Sequence, residues 1–549
     1  MHVQDTKKHH HFSSDRLAWL APPLLFSVLY VVLASIGALY FHINDDLAEI
    51  SIVSNGDFHT LSVHFILGWI LMNLYSWKAN FFWYDLLIII GYSAAIFRIF
   101  FISRRYNFSY YSIILLMSCI LLGFIPFQPH NSLLAMLLAV SAVLPLIMDD
   151  DSGFKVWPNG FISFLFLFWA CLYRSSAALL VVVCSFGIVI SLAACELIYL
   201  CDGKILKNIL YRSTLLLGMI LFSFFMSSIH RYSFLTDPEY ARFLEYNKYR
   251  SAIKDYQKYR HDSSWQKIGL SQNDFNMINS FMAIDSPPFH LENLKLLQPV
   301  SISDFRRIHS GVRKIFASLR HPFSLLLFVL ALCLSLVSRQ IRVIFISCLT
   351  FLCLLTLYFS RARDRIYLPI LSLAAITAVF YFNSWIKSSN FKLNARYAIL
   401  ITFFSLFVVS YVAASHYSYI EMQSQSLESQ MLIWNFCKIN NINSLVVWPE
   451  SLPPGKNCRM FDSFNSWKNM HIDANSIGGW DSSFPKNLLK FRTRYGQDIY
   501  LGISESEIYH VVPRTKQHTF ETFLAERGSK AVTFNILYET KDSVLYLIR

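Results

Sequence analysis

Long apolar blocks constrain this chain more than any other sequence feature. They run for roughly 15 to 25 residues, about the length a helix needs to cross a hydrocarbon core of roughly 30 Å. The 549 residues are 54% hydrophobic and only 15% charged, which is too apolar for a soluble protein of this size. In lipid each backbone group must bond within its own segment, so the blocks are predicted to be helices although Phe, Ile and Val favour strands in water. The predicted fold class is mainly α, a polytopic helical membrane bundle.

Hydropathy predicts about eleven membrane spans. Their approximate limits are Leu17–Phe41, Phe81–Ile102, Tyr110–Phe127, Leu133–Met148, Phe161–Tyr173, Ser176–Leu200, Ser213–Ile229, Pro322–Val337, Val343–Phe359, Ile366–Trp385 and Tyr397–Tyr411.

The basic residues of the short loops predict the orientation, because Lys and Arg are retained in the cytoplasm. A cytoplasmic N-terminus, residues 1–16, puts the other short basic loops inside as well, provided that the apolar stretch Val63–Tyr75 does not cross. That stretch is then predicted to lie on the outer surface as an interfacial helix, with Trp69, Tyr75 and Trp77 at the level of the lipid headgroups. The membrane domain is predicted to span residues 17–414 and to carry external loops at 42–80 and 230–321.

The tail, residues 415–549, is predicted to be a small extracytoplasmic α/β domain. Alternation and turn residues predict strands at Ser444–Trp448, Ala531–Tyr538 and Ser543–Ile548. Helical periodicity appears at Ser426–Ile439 and Phe520–Arg527.

Two further features of the tail allow alternative interpretations. Trp480 lies in the turn-rich segment 476–481, which would either shape a substrate-binding edge or form a structural loop around a packed Trp. Cys437 and Cys458 are the tail's cysteines, and an oxidising compartment would allow them to form a disulfide or leave them as thiols.

The first external loop opens with two adjacent carboxylates, Asp45 and Asp46, placed directly after the first span. Neighbouring carboxylates repel each other, which favours holding one proton on the pair or recruiting a divalent cation. The alternative is that the pair ends the first helix at the water boundary. On either interpretation both side chains are expected at that boundary.

The residues after this pair extend the pattern. Asn55-Gly56-Asp57, the interfacial stretch, and Asn80-Phe81-Phe82-Trp83-Tyr84 follow in order. With these segments the chain resembles the polytopic glycosyltransferases of the GT-C superfamily. The resemblance is one of layout, and it extends through most of the membrane region. The long loop, with Tyr246-Asn247-Lys248-Tyr249-Arg250, is similar to that of a poorly defined group of bacterial polytopic proteins.

The resemblance implies a GT-C-like bundle in which an acidic residue of the first external loop is the catalytic base or a metal ligand. It also implies a sugar donor carried on polyprenyl phosphate. Asp45 and Asp46 are the residues that match, so they are the candidate catalytic pair and the candidate ligands if a divalent cation takes part.

A phosphate leaving group at a membrane surface needs cations, and Arg suits it because its planar fork offers paired donors. Arg361, Arg363 and Arg365 form a turn that the predicted topology places outside, against the positive-inside rule. Arg174, between two apolar halves of one long segment, is a further candidate. The alternatives are a cytoplasmic Arg turn and a structural interhelical charge at Arg174.

Asp255 and Asp274 of the long loop are candidate substrate-binding residues, because acids among aromatic side chains suit the hydroxyls and faces of sugars. The same mixture describes an amphipathic helical loop lying on a membrane.

Together these features predict a glycosyltransferase of the bacterial inner membrane, acting on the periplasmic face. Its expected partners are a polyprenyl-phosphate sugar donor, a glycan or lipid acceptor of the cell envelope such as lipopolysaccharide or O-antigen, and membrane lipids. The net charge of +13 is divided between orientation and anionic partners, and no nucleic-acid module is present in the sequence. The alternatives are an O-antigen polymerase or ligase, and a non-enzymatic polysaccharide or lipid transporter.

Overall fold

The structure is a computed structural model. It describes residues 21–36, 39, 44–79, 81–124, 130–148, 156–200, 203–254, 263–280, 282–297, 313, 317, 320–358, 364–388, 395–448, 473–477, 481–527 and 532–549. The described part is mainly helical, with a small sheet near the C-terminus.

In the described part of the chain, sixteen helices precede the sheet. The first eight are α1 Ala21–Ser35, α2 Asn44–Ser54, α3 Phe65–Trp77, α4 Trp83–Arg105, α5 Tyr110–Phe124, α6 Asn131–Ile147, α7 Val156–Leu200 and α8 Gly203–Leu235. The next eight are α9 Pro238–Lys254, α10 Ser263–Lys267, α11 Gln272–Asn279, α12 Leu291–Leu296, α13 Pro322–Ser335, α14 Arg339–Tyr358, α15 Asp364–Ser388 and α16 Ala395–Ile439. Each predicted span overlaps one of these helices.

Five helical segments in the described part are long and apolar enough to cross a membrane. They are Trp83–Arg105, Asn159–Cys195, Asn208–Leu235, Ile366–Ser388 and Ile399–Ile439. The apolar helices α1, α3, α5, α6 and α13 are shorter, with 10–17 residues. These helices indicate a membrane-associated protein, and the larger number of about eleven spans stays a prediction.

Helix α6 forms the centre of the bundle, because every one of its residues is buried. It packs against α4 and α7, while α15 packs against α5 and α13. The α5–α15 contact is close at Gly123, where a Cβ atom would lie 2.1 Å from Cβ of Ser372. Small residues at such positions let membrane helices approach.

The tail contains a five-stranded mixed sheet. Its strands are β1 Ser444–Val447, β2 Asp473–Ser476, β3 Ile508–Pro513, β4 Phe534–Glu539 and β5 Ser543–Ile548, in the order β2-β1-β3-β5-β4. Strands β2, β1 and β3 are parallel, and β5 pairs antiparallel with both β3 and β4. Helices α17 Pro485–Tyr495, α18 Ile499–Ser504 and α19 Gln517–Arg527 complete this α/β unit. The predicted strands are present as β1, β4 and β5.

The long loop and the tail share one hydrophobic core. Trp265 and Met277 from the loop are buried with Trp448, Tyr500 and Phe520 from the tail. Loop helices α9 to α12 and the sheet therefore form a single unit, whereas the sequence predicts two separate regions. We call it the external unit, after the location that the predicted topology gives it. The amphipathic pattern of the loop is accounted for by burial against this sheet.

Two sequence expectations about individual residues need correction or restriction. Tyr75 is not exposed as an anchor in lipid headgroups would be: it is 8% exposed, whereas the Trp69 and Trp77 side chains are 55% and 76% exposed. Tyr75 faces the bundle because its hydroxyl accepts a hydrogen bond from the backbone N–H of Tyr84 at 3.4 Å. Cys437 is a buried free thiol, and Cys458 lies outside the described residues.

Candidate functional site: a buried acidic network

Asp46 and Glu49 lie one turn apart on α2 and therefore share a face of that helix. The two residues are 0% and 1% exposed. The expectation that Asp46 sits at the water boundary is wrong, because α2 packs this face into the protein. Asp46 does not end the first helix either, since α1 ends at Ser35.

The Asp46 carboxylate accepts hydrogen bonds from two neighbouring elements. The hydroxyl of Tyr84, at the start of α4, donates to Oδ1 at 2.5 Å. The backbone N–H of Asn131, the first residue of α6, donates to the same oxygen at 3.3 Å. A helix N-terminus presents backbone N–H groups that have no partner within the helix, so this position suits the Asp46 carboxylate as an acceptor.

Glu49 is joined to Asp46 through the same asparagine. Its Oε1 accepts from the backbone N–H of Ser62 at 2.7 Å and from the Ser62 hydroxyl at 2.5 Å. The side-chain amide of Asn131 donates to that hydroxyl at 3.0 Å. Asn131 therefore connects both carboxylates, one by its backbone and one by its side chain.

Arg174 interrupts the long helix α7. Its backbone is extended, with φ −163° and ψ 96°, so the two apolar halves predicted from the sequence meet at this residue. The break releases the carbonyl of Leu172 from the helical ladder, and the backbone N–H of His64 donates to it at 2.8 Å. Irregular backbone at membrane depth is tolerated where the protein satisfies it in this way.

The Arg174 side chain reaches the start of α6. Its Nη1 donates to the Ser132 hydroxyl at 2.9 Å, and that hydroxyl donates to Oδ1 of Asn131 at 3.2 Å. Two residues proposed from sequence for different roles, Asp46 and Arg174, thus belong to one chain of hydrogen bonds. We call this set the acidic network: Asp46, Glu49, Ser62, Tyr84, Asn131, Ser132 and Arg174.

Two buried histidines fix the helices around the network. His130 precedes α6, and its Nδ1 accepts from the backbone N–H of Ser132 at 2.9 Å. His64 precedes α3, where its Nδ1 accepts from the N–H of Ile66 at 3.3 Å and its ring Nε2 lies 3.1 Å from the carbonyl oxygen of Met226. Both act as N-caps, because their ring nitrogens accept hydrogen bonds from backbone N–H groups that have no partner within the helix.

The described residues contain no group of three or more His, Cys, Asp or Glu side chains that could hold a metal ion. Asp46 and Glu49 supply two carboxylates, and both are engaged in the hydrogen bonds given above. A divalent cation at the acidic pair stays a prediction, and no step proposed below depends on one.

Several predicted site residues fall outside the described parts. Asp255, Arg361, Arg363 and Trp480 lie outside the described residues. Asp45 and Arg365 belong to α2 and α15, and their side chains are likewise outside the description.

Asp274 has a clear place in the external unit. Its Oδ2 accepts from the backbone N–H of Ser271 at 2.6 Å and completes a capping box at the start of α11. The same oxygen is ion-paired with Arg527 of α19, and the Asp274 side chain is fully buried. These contacts join a loop helix to a tail helix, and they account for the aspartate without a substrate.

Asp57 joins the first external loop to the external unit. Its carboxylate accepts from the backbone N–H of His59 at 3.0 Å and from the Tyr240 hydroxyl of α9. Lys486 of α17 lies 3.7 Å away and donates to the carbonyl of Gly56 at 2.8 Å. Burial alone would raise the pKa of Asp57, but the hydrogen bonds from His59 and Tyr240 and the charge of Lys486 lower it overall.

Sequence reasoning does not single out Glu49, Ser62, Asn131 or Ser132. A signal existed for Glu49, which follows Asp46 at helical spacing. Another existed at 130–132, where a polar triplet directly precedes the apolar block of α6. The contact between these segments is a tertiary one, and no local pattern reports it.

No protein-family model matches the chain, and no curated protein matches it in sequence.

Proposed function

We propose that the chain is a membrane glycosyltransferase that moves a sugar from a polyprenyl-phosphate donor to a glycan or lipid acceptor of the cell envelope. The observation that carries this proposal is the hydrogen-bond chain from Asp46 through Asn131 and Ser132 to Arg174. It brings together a carboxylate able to accept a proton and a guanidinium able to bind a phosphate, which are the two groups the reaction needs.

In the proposed reaction the acceptor hydroxyl attacks the anomeric carbon of the donor sugar. The bond from that carbon to the phosphate oxygen breaks, and its electron pair leaves with the lipid phosphate. Asp46 takes the hydroxyl proton, while Arg174 stabilises the charge that develops on the phosphate. Arg361, Arg363 and Arg365 are proposed to add positive charge near the same phosphate, on the basis of sequence alone.

Tyr84 suggests how the acceptor meets Asp46. Its hydroxyl donates to Asp46 at 2.5 Å in a fully buried position. An acceptor hydroxyl that replaced it would have the donor geometry required for proton transfer to a general base. Substrate binding therefore involves movement of Tyr84 or of α2, which carries Asp46.

The proposed site is the outer end of the bundle, in the bacterial inner membrane with the N-terminus in the cytoplasm. The acidic network joins segments around residues 46, 62, 84, 131 and 174. The predicted topology places all of these segments on the periplasmic side. Cysteine labelling at Asn55, Ser360 and Ser506 in intact cells tests this orientation. Labelling of any one of them only after permeabilisation would refute it.

A second candidate function is transport of a lipid-linked or free glycan. The break of α7 at Arg174 favours it, because transporters place substrate at discontinuous helices. The acidic network, however, gathers the first residues of α4 and α6 and not their midpoints, which favours a surface reaction over a mid-membrane site.

The deciding experiment gives the purified, reconstituted full chain a lipid extract that contains polyprenyl-phosphate sugars. Consumption of donor with appearance of free polyprenyl phosphate and glycosylated acceptor is expected. Movement of intact donor across the bilayer without cleavage would establish the transporter and end the glycosyltransferase proposal.

A further inference from the structure

A groove with a volume of about 610 Å³ lies between α1 and α4. Its walls are mostly apolar, with Pro23 and Leu24 from α1 and Phe97 from α4. Leu24 is 58% and Phe97 44% exposed, so the rim presents apolar side chains outward. In a membrane protein such a rim faces acyl chains. None of the described residues that line the groove belongs to the acidic network.

Arg98 is the unusual member of this lining. It lies within the span-length helix α4 and is only 5% exposed. Its Nε and one of its terminal nitrogens, Nη2, are buried and have no hydrogen-bond partner among the described residues. The neighbour on one side is the ring of Phe166, whose centroid lies 5.8 Å from the guanidinium carbon. A cation–π contact stabilises a buried guanidinium without using its N–H donors.

Ser93 provides a second polar group in the same groove. Its hydroxyl is buried and likewise has no hydrogen-bond partner among the described residues, whereas that of Ser27 across the groove donates to the carbonyl of Pro23 at 2.9 Å. A buried donor without an acceptor is unfavourable, and more so when the donor is charged. Two such groups in one apolar groove point to an acceptor-rich ligand.

The C-terminal end of α4, towards which Arg98 lies, is positively charged. Arg104 and Arg105 form its last turn, and Arg105 lies seven residues beyond Arg98 and so on the same face. A ligand held by Arg98 would be in the field of a second guanidinium. The groove therefore offers apolar walls beside donors and positive charge.

We propose that this groove binds an anionic glycerophospholipid of the bilayer. Its phosphate accepts hydrogen bonds from Arg98, an ester carbonyl oxygen accepts from Ser93, which lies deeper along α4, and an acyl chain continues against Ile89 and Ile90. The inference is independent of the proposed glycosyl transfer, since it involves different residues, although α4 and α7 contribute to both sites. Apolar walls favour a lipid over inorganic phosphate, because a free anion gains nothing from them.

Native mass spectrometry of the full chain, released from nanodiscs of equal phosphatidylglycerol and phosphatidylcholine with the same acyl chains, tests the proposal. The native chain is expected to retain phosphatidylglycerol about tenfold better, which corresponds to about 1.4 kcal/mol. Arg98→Gln should remove the preference. Arg231→Gln is the matched control, because Arg231 is an exposed arginine on α8 and its loss should leave the preference intact.

A second variant keeps the proposal testable if Arg98→Gln does not fold. Ala94→Phe fills the groove but retains the arginine, and it should lower retention of both lipids. Undiminished phosphatidylglycerol preference in Arg98→Gln would overturn the proposal. Displacement of the lipid by inorganic phosphate would overturn it in favour of a free-anion site. A preference that appears only after removal of residues 1–16 would show that the chain's own N-terminal segment is the occupant.

Discussion

The buried carboxylates of the bundle and those of the external unit are held in different ways. In the external unit the buried Asp274 pairs with Arg527 and the buried Asp285 with Arg242, which also pairs with the exposed Glu292. In the bundle, Asp46 and Glu49 accept from hydroxyl and N–H groups of Tyr84, Asn131 and Ser62. An ion pair supplies a compensating charge, whereas a neutral donor orients a carboxylate without cancelling its charge.

This difference separates a stabilising carboxylate from a candidate general base. The hydrogen bond from Arg242 lowers the pKa of the exposed Glu292 to about 2, whereas burial raises the pKa of Asp274 above its usual value in spite of the ion pair with Arg527. Asp274 joins two helices of the external unit through its ion pair. Complete burial is common to Asp46 and Asp274, so burial alone does not distinguish them, and the proposal rests on the difference between their partners.

The largest expected effect comes from replacing Asp46 and Asp274 by Asn in separate variants and comparing the two. Asp46→Asn should reduce glycosyl transfer by roughly 10²–10⁴-fold at near-normal membrane abundance, because the amide keeps a hydrogen-bonding group but cannot serve as a base. Asp274→Asn should do the reverse, lowering the stability of the external unit by about 3 kcal/mol while turnover per folded molecule is retained.

Transfer assays and thermal unfolding of both variants, normalised to protein amount, measure this contrast. Equal loss of stability in the two variants would remove the distinction between the regions. Near-normal transfer by Asp46→Asn would argue that its burial serves packing alone.

Arg174 should show an intermediate effect. Arg174→Gln is expected to lower transfer by roughly 100-fold and Arg174→Lys by roughly 10-fold, because Lys retains the charge but not the planar pair of donors. Arg242→Lys in the external unit is the matched control, and it should change stability more than turnover. Unchanged transfer by both Arg174 variants would assign this residue to the structure of the α7 break.

The smallest effect concerns acid stability of the external unit. His510 in β3 is fully buried, and its Nδ1 accepts from the indole N–H of Trp448 at 3.3 Å. Burial lowers the pKa of His510 to about 3. The unfolded chain, with a pKa near 6.5, then binds a proton that the folded unit does not. Stability is therefore complete above pH 6.5 and falls by about 1.4 kcal/mol per pH unit as the pH drops from there towards 3.

His510→Gln should flatten this slope, since Gln keeps an acceptor for Trp448 and does not titrate. Trp fluorescence during denaturation at pH 7 and pH 5 measures it, with the exposed His518→Gln as control. The same pH slope in His510→Gln and the native chain would contradict the assignment. The His510→Gln substitution should leave the rate of the proposed glycosyl transfer at Asp46 unchanged.

The sequence predicts the helices of the bundle better than it predicts the contacts between them. Apolar periodicity gives the helices and also the break at Arg174, because these are local properties of the chain. It does not predict β2, whose residues Asp473 to Ser476 include polar side chains and are held in the sheet by parallel pairing with β1. Nor does it predict the core shared by Trp265 and Trp448, which are far apart along the chain.

The candidate site shows the same division. Asp46 and Arg174 stand out by residue type and position, but their connection through Asn131 and Ser132 depends on the way α2, α6 and α7 pack together. The prediction that Asp46 lies at the water boundary was wrong for this reason. A charged side chain is expected to be exposed to solvent, but hydrogen-bond donors on neighbouring helices permit its burial.

The most direct test of the account locates the donor. A polyprenyl phosphate with a diazirine beside the phosphate would be irradiated on the reconstituted full chain, and the labelled peptides identified by mass spectrometry. If the acidic network is the reaction site, labels are expected around residues 130–132 and 172–176, and they should be lost in Arg174→Gln. Labels confined to the sheet of the external unit, or to the α1–α4 groove, would contradict the claim that the acidic network is the reaction site.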